Sequence, residues 1–239
     1  MSATTPDIAT APRSFTEQLL ALLQGGNGCR GAIELDARTL SGIGAQQFHV
    51  PLPVTAVPFP VLDAIRDDWG LRFAPVTRAG NLLQDLGAAF VCWRPEQCFS
   101  RETGWRHAIA PEAQARIRAA LAAFPLPPAQ LIDAGPEVVA LWPLDRPLAV
   151  DRDPAPAIAL LVGLAERLGA DVATVRDLAV TLPLAGVIRN WNNDAVDLVE
   201  VVDVEPGRRY RVEELVAACA NPELAEPAAP RRKPKGVPA

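Results

Sequence analysis

Gly87-Ala88-Ala89-Phe90-Val91-Cys92-Trp93-Arg94-Pro95 is the stretch on which the fold turns. It is a short apolar run that ends abruptly in a thiol, an indole and a guanidinium. The run reads as a buried central strand whose last residues emerge at a sheet edge, and strand ends of this kind are where αβ domains place their chemistry. Everything else is read outward from that strand.

The chain has 239 residues, 49% apolar and 21% charged, with a formal net charge of −5. That length is ample for a real core. An acidic total (pI about 5.2) lends no support to strong non-specific nucleic-acid binding, which wants a basic surface. The four cysteines, Cys29, Cys92, Cys98 and Cys219, form no C-x-x-C pair, and the two histidines, His49 and His107, stand apart from them. A structural zinc site is not expected. The first residues are polar and Pro-rich rather than signal-like, and no apolar run approaches membrane-spanning length. The expectation is a reduced, cytoplasmic protein with no membrane partner.

Upstream of the central strand, residues 1–13 read as a loose leader. Ser14 to Glu17 forms a capping box before a helix striped by Phe15, Leu19, Leu22 and Leu23. Ala32–Asp36 and Gln46–Val50 read as strands, the prolines at 51, 53, 58 and 60 as a connector, and 61–65 as a short helix. Leu71–Pro75 reads as a strand and Val76–Asn81 as a polar loop.

Downstream, Pro111 and Glu112 open a helix closed at Pro125. Leu131-Ile132 and Val138–Trp142 flank Ala134-Gly135-Pro136 as a hairpin or a pair of sheet neighbours. Asp153-Pro154 starts the strongest helix, ended by Gly169. Thr174–Asp177 reads as a capping box for a helix that Pro183 ends. Val196–Val204 reads as one alternating strand and Val212–Cys219 as a closing helix. Residues 220–239 read as a disordered Pro/Ala-rich tail with a basic patch. Strands and helices are mixed, with antiparallel neighbours, which predicts an α+β fold: a mixed, largely antiparallel sheet with flanking helices, formed by residues 14–219.

In this order the segments resemble the archaeo-eukaryotic primase superfamily, in particular the RepB-like primase domain of plasmids and phages. Trp69–Gly80 is similar to the family's segment preceding the catalytic strand. Gly87–Pro95 is similar to the strand that ends in D-h-D. Asp133–Trp142 is similar to its Gly-rich, His-bearing turn. Leu168–Asp171 and Asp177–Trp191 are similar to its "L-G-A-D" and "D-L-A-R" segments. The resemblance implies a primase-like fold with an RRM-like catalytic core region. It also implies nucleotidyl transfer through two divalent metals held by carboxylates.

Carried over position by position, however, the two acids fall on Cys92 and Arg94 and the nucleotide-contacting histidine on Val139. Pro136 removes a backbone N–H from the turn. The resemblance leaves Asp177, and after it Asp171, as a surviving acid. It places Arg72, Arg78 and Arg189 around the cleft as phosphate contacts, to which Arg106 and His107 add a cluster with Arg101. Trp191 is a candidate base-stacking platform.

Each assignment has a structural counterpart. Asp177 is also explained as a helix-capping residue, Cys92 as a small buried hydrophobe, and the arginines as solvated surface. The expected role is accessory: a primase-like protein that has lost catalysis, needs no cofactor, and binds single-stranded DNA or a replication or mobilisation protein of a plasmid, phage or integrated element. One alternative is an active DNA primase or polymerase using Mg²⁺ or Mn²⁺, with acids recruited from Glu34, Asp36 or Asp133. The other is a protein-interaction module without nucleic acid. The sequence leaves oligomeric state open.

Overall fold

The computed structural model describes residues 28–38, 45–52, 70–94, 99–100, 104–105, 111–134, 137–184, 188–192, 195–198, 200–205 and 208–220. The leader, the opening helix, the Pro-rich connector with its short helix, Arg101, Arg106, His107, Gly135-Pro136 and the basic tail lie outside these residues.

The strands are β1 (Ala32–Arg38), β2 (Ala45–Pro51), β3 (Gly70–Phe73), β4 (Val76–Ala79), β5 (Leu82–Trp93), β6 (Phe99–Ser100) and β7 (Gly104–Trp105). Helix α1 (Pro111–Ala123) is followed by β8 (Gln130–Asp133) and β9 (Val138–Ala149), then by α2 (Ala155–Leu168) and α3 (Val172–Arg176). β10 (Leu182–Pro183), β11 (Ile188–Asn192), β12 (Ala195–Leu198), β13 (Glu200–Val204) and α4 (Val212–Ala220) complete the described chain. A nine-stranded sheet runs β10-β3-β1-β4-β5-β9-β8-β13, with β2 also paired to β1. The pairings between these strands are antiparallel. The result is the expected α+β architecture of a largely antiparallel sheet with flanking helices.

β5 owes its unbroken apolar sequence to burial on both sides: every residue from Asp85 to Trp93 is buried. It lies inside the sheet rather than at an edge, and its last residues stay paired, Cys92 with Val139 and Trp93 with Val138. Side chains alternate across a strand. On one face Trp93 Nε1 donates to the Leu168 carbonyl, and Trp142 Nε1 donates to the Leu126 carbonyl while meeting Phe124 edge-on. That face is covered by α2 and by the segment leaving α1. Cys92, Arg94, Glu137 and Val139 therefore belong to the other face. β9 runs through Pro143 and Pro147. It does so at a break in its register with β5, where the Pro143 carbonyl accepts from Tyr210 N instead.

Three expectations are corrected. Val76–Ala79 is a strand, not a loop, and turns at Gly80 into β5. Its polar residues have tertiary partners: Thr77 Oγ1 exchanges hydrogen bonds with the Asp85 backbone, and Arg78 forms an ion pair with Glu34. Gly31 is required here, because a Cβ on it would lie 2.3 Å from the Arg78 carbonyl oxygen. Thr174–Asp177 is not a capping box. Asp171 is the N-cap of a short helix that contains Thr174, and Asp177 closes it at the C-cap, so no helix reaches Pro183, which lies in β10. Val196–Val204 is two strands: β12 pairs with β11 in a separate sheet, while β13 joins the main sheet beside β8. By contrast, Gly169 does end α2, in the left-handed conformation that favours glycine.

Candidate functional site

The C-terminal end of β5 meets the start of β9, and the two-residue spacing puts Cys92, Arg94 and Glu137 on one side. Glu137 is 6% exposed, unusual for a carboxylate. Two guanidiniums hold it. Arg72 Nη1 lies 2.5 Å from its Oε1, and Arg94 Nε lies 3.3 Å from its Oε2. The Cys92 thiol completes the shell at 3.7 Å from Oε2. Burial works against the charged carboxylate, but the two arginines outweigh it and hold Glu137 below the ordinary carboxylate range.

Arg72, on β3, has little left for another partner. Its Nε donates to Thr181 Oγ1 and to the Thr181 carbonyl, and its Nη2 to that carbonyl at 2.5 Å. Arg94 bridges the strand end to α3, because its Nη1 donates to Thr174 Oγ1 at 3.1 Å. That hydroxyl donates to Asp171 Oδ2 at 2.5 Å, and the amides of Ala173 and Thr174 donate to Oδ1. The Asp171 amide in turn donates to the Cys92 carbonyl at 2.8 Å. The Thr174 hydroxyl is the main cause that keeps the Asp171 carboxyl below its ordinary value. The cluster thus carries two guanidiniums and two carboxylates and ties β3, β5, β9 and α3 together.

Cys92 is fully buried, and burial first, then the Glu137 charge, push its thiol up to about 12 despite the opposing pull of Arg94 and Arg72. Arg94, two residues on, therefore does not make it a low-pKa nucleophile. Among the described residues no three His, Cys, Asp or Glu side chains converge as a metal-ligand set.

Of the residues singled out from sequence, Cys92, Arg94, Arg72 and Asp171 come together. Val139 adds no polar group to the cluster; it is fully buried between Cys92 and Ile132 on the neighbouring strands. Asp177 stands apart, its Oδ1 accepting from Ala179 N. Arg78 Nε lies 2.6 Å from Glu34 Oε2, so this cation too is paired with a buried acid. Asp36 is buried and sits directly across from Arg72 on β1. Asp133 ends β8, and Arg189 and Trp191 lie on β11 in the separate hairpin. Glu137 is the member that sequence reasoning passed over. Its signal is a lone acid immediately before the wholly apolar Val138–Trp142, a position that burial forces to find a cation.

No family model matches the chain, and no curated protein matches it. Solved structures do. The archaeo-eukaryotic primase domain of the cyanophage S-2L primase-polymerase superposes with a TM-score of 0.60 at 16% identity, covering 87% of this chain and 97% of that one. The catalytic domain of primase RepB′ in complex with initiator DNA gives 0.52 at 15% identity, covering 87% and 94%. A second RepB′ structure gives 0.53 at 14%, covering 86% of this chain and 62% of that one. The chain has an archaeo-eukaryotic primase-like fold.

Proposed function

We propose that this chain is a primase-fold protein that has lost two-metal catalysis and serves as an accessory factor in replication or mobilisation. The observation that carries the reading is the end of β5. A pair of divalent metals asks for hard oxygen ligands there. The residues do not fit: one is a dry thiol, the next a guanidinium, and the one buried carboxylate between them is already neutralised by two arginines. Arg94 brings a fixed positive charge to the point where metals would have to sit.

Primer synthesis and primer extension on single-stranded DNA, with nucleotides and either Mg²⁺ or Mn²⁺, test the reading. Folded, monodisperse protein yields no product. Template-dependent product that depends on Asp171 or Asp36 overturns the proposal and moves the metal ligands to those acids.

The accessory role has two forms. Arg72 and Arg78, which the resemblance places around the cleft, are each paired with a buried carboxylate, and the chain is acidic overall. These observations favour a protein partner over direct binding to nucleic acid. Affinity for single-stranded DNA at low salt that falls steeply as salt is added reverses that preference.

A further inference from the structure

Gln130 opens β8 and is fully enclosed, at 1% exposure. Its backbone is engaged in the sheet on both sides, opposite Leu141 of β9 and Val204 of β13. Neither its amide nitrogen nor its amide oxygen meets a hydrogen-bond partner among the described residues. The register shows why its own sheet cannot provide one. The residue across from it on β9 is Leu141, and across from Leu141 on β5 is Phe90, so its row is apolar. The next row on the same face is Ile132, Val139 and Cys92, all fully buried. The main-chain groups of these strands face one another in the ladders rather than the side chains.

A primary amide has two donor hydrogens and an acceptor with two lone pairs. Buried amides left bare are rare because the penalty is not offset by anything else. Globular proteins meet this demand with internal water, on the order of one per 27 residues, held by two to four hydrogen bonds.

We infer that the Gln130 amide is the anchor of an internal water site, on the sheet face that carries Cys92 and Glu137 and two rows along the strands from Glu137. The water is a structural ligand. It satisfies the amide and lets a polar side chain occupy a row it shares with Leu141 and Phe90.

Rotating-frame NMR on the ¹⁵N-labelled full chain tests this, with the Gln130 side-chain amide assigned through its own Cγ. The expected result is a dipolar cross-peak between the Gln130 Nε2 protons and the water frequency. Its sign separates a bound water from simple proton exchange. No dipolar cross-peak overturns the inference. Gln130→Met, which keeps the length and removes the polar atoms, gives the independent arm. A Tm that stays level or falls agrees with a satisfied amide. A Tm that rises by several degrees shows that the amide was bare, and overturns the site. Because the NMR arm uses the wild-type chain, it stands even if the variant does not fold. Neither arm depends on what the protein binds.

Discussion

Two buried carboxylates sit near opposite ends of β5, and they are held in opposite ways. Near its start, Asp85 is 2% exposed and is grasped by a single residue. Arg30 donates its backbone N–H at 2.6 Å and its Nε and Nη2 to Asp85, and shares its Nη1 with Asp151. That cluster has one cation and two acids, and its arginine is half exposed. Near the end of β5, Glu137 is held by two cations, which reach it from β3 and from the residue just after β5. The first arrangement is a local clasp that water can partly replace. The second draws three strands and a helix into one charge-balanced knot, at the position where the resemblance expects acids and metals. The same interaction type serves a half-exposed staple in one place and a largely buried knot in the other.

The largest expected effect separates the two. Removing one partner of a buried pair leaves uncompensated buried charge and costs about 3–5 kcal/mol. Glu137→Ala strands the Arg72 guanidinium, 26% exposed, while Arg94, 44% exposed, can partly rehydrate, so equilibrium denaturation should show a loss at the low end of that range. Asp85→Ala releases an arginine that is half exposed and can rehydrate, leaving mainly its part-buried backbone N–H unmet, so the loss should be smaller. If the two losses are equal, the distinction between knot and clasp fails.

A pH titration of stability sharpens the contrast with a smaller effect. Burial opposes the Glu137 charge, but Arg72 and Arg94 depress its folded pKa below the ordinary value. A depressed acid contributes stability that is present above the unfolded carboxylate pKa, near 4.3 for Glu, and is lost as pH falls through the lower folded value. Wild-type protein should therefore weaken steeply below about pH 4. Glu137→Gln should start less stable at neutral pH and show a shallower acid limb, so the two curves converge as pH drops. Curves that stay parallel would show that Glu137 does not drive the acid limb.

How far the sequence carried this follows from which forces are local. The Gly87–Trp93 run was legible as a central strand because burial on both faces removes polar alternation. The hairpin of β8 and β9 and the stop at Gly169 rest on turn and cap chemistry that acts within a few residues. β4 was not legible, because Thr77 and Arg78 look like loop residues until Asp85 and Glu34 satisfy them. The place of Asp171 was hidden for a related reason. What ties it, rather than Asp177, to the end of β5 is its amide's hydrogen bond to the Cys92 carbonyl, a contact between segments 79 residues apart. Within the candidate site, the meeting of Cys92 and Arg94 at the end of the central strand could be read from order alone. That Arg72 and Glu137 complete the cluster could not, since they are 65 residues apart and on strands that are not neighbours.

The smallest effect concerns the Cys92 thiol near the end of β5. Cys92 donates toward Glu137, and burial with that charge pushes its pKa to about 12. At pH 8 almost none of it is thiolate, and the thiolate is the nucleophile. A thiol reagent at pH 8 should modify Cys92 only at the rate at which the knot opens, and at full rate in denaturant. The comparison again supplies the control. Glu137→Gln removes both the nearby negative charge and the pairing that closes the end of β5, so labelling of Cys92 should accelerate. Asp85→Asn, near the far end of the strand, should leave the Cys92 rate unchanged while global stability remains sufficient. If both variants speed labelling equally, Cys92 is exposed through global unfolding, and the cluster around Glu137 has no local barrier of its own. If only Glu137→Gln does so, the charge knot is what keeps this strand end closed.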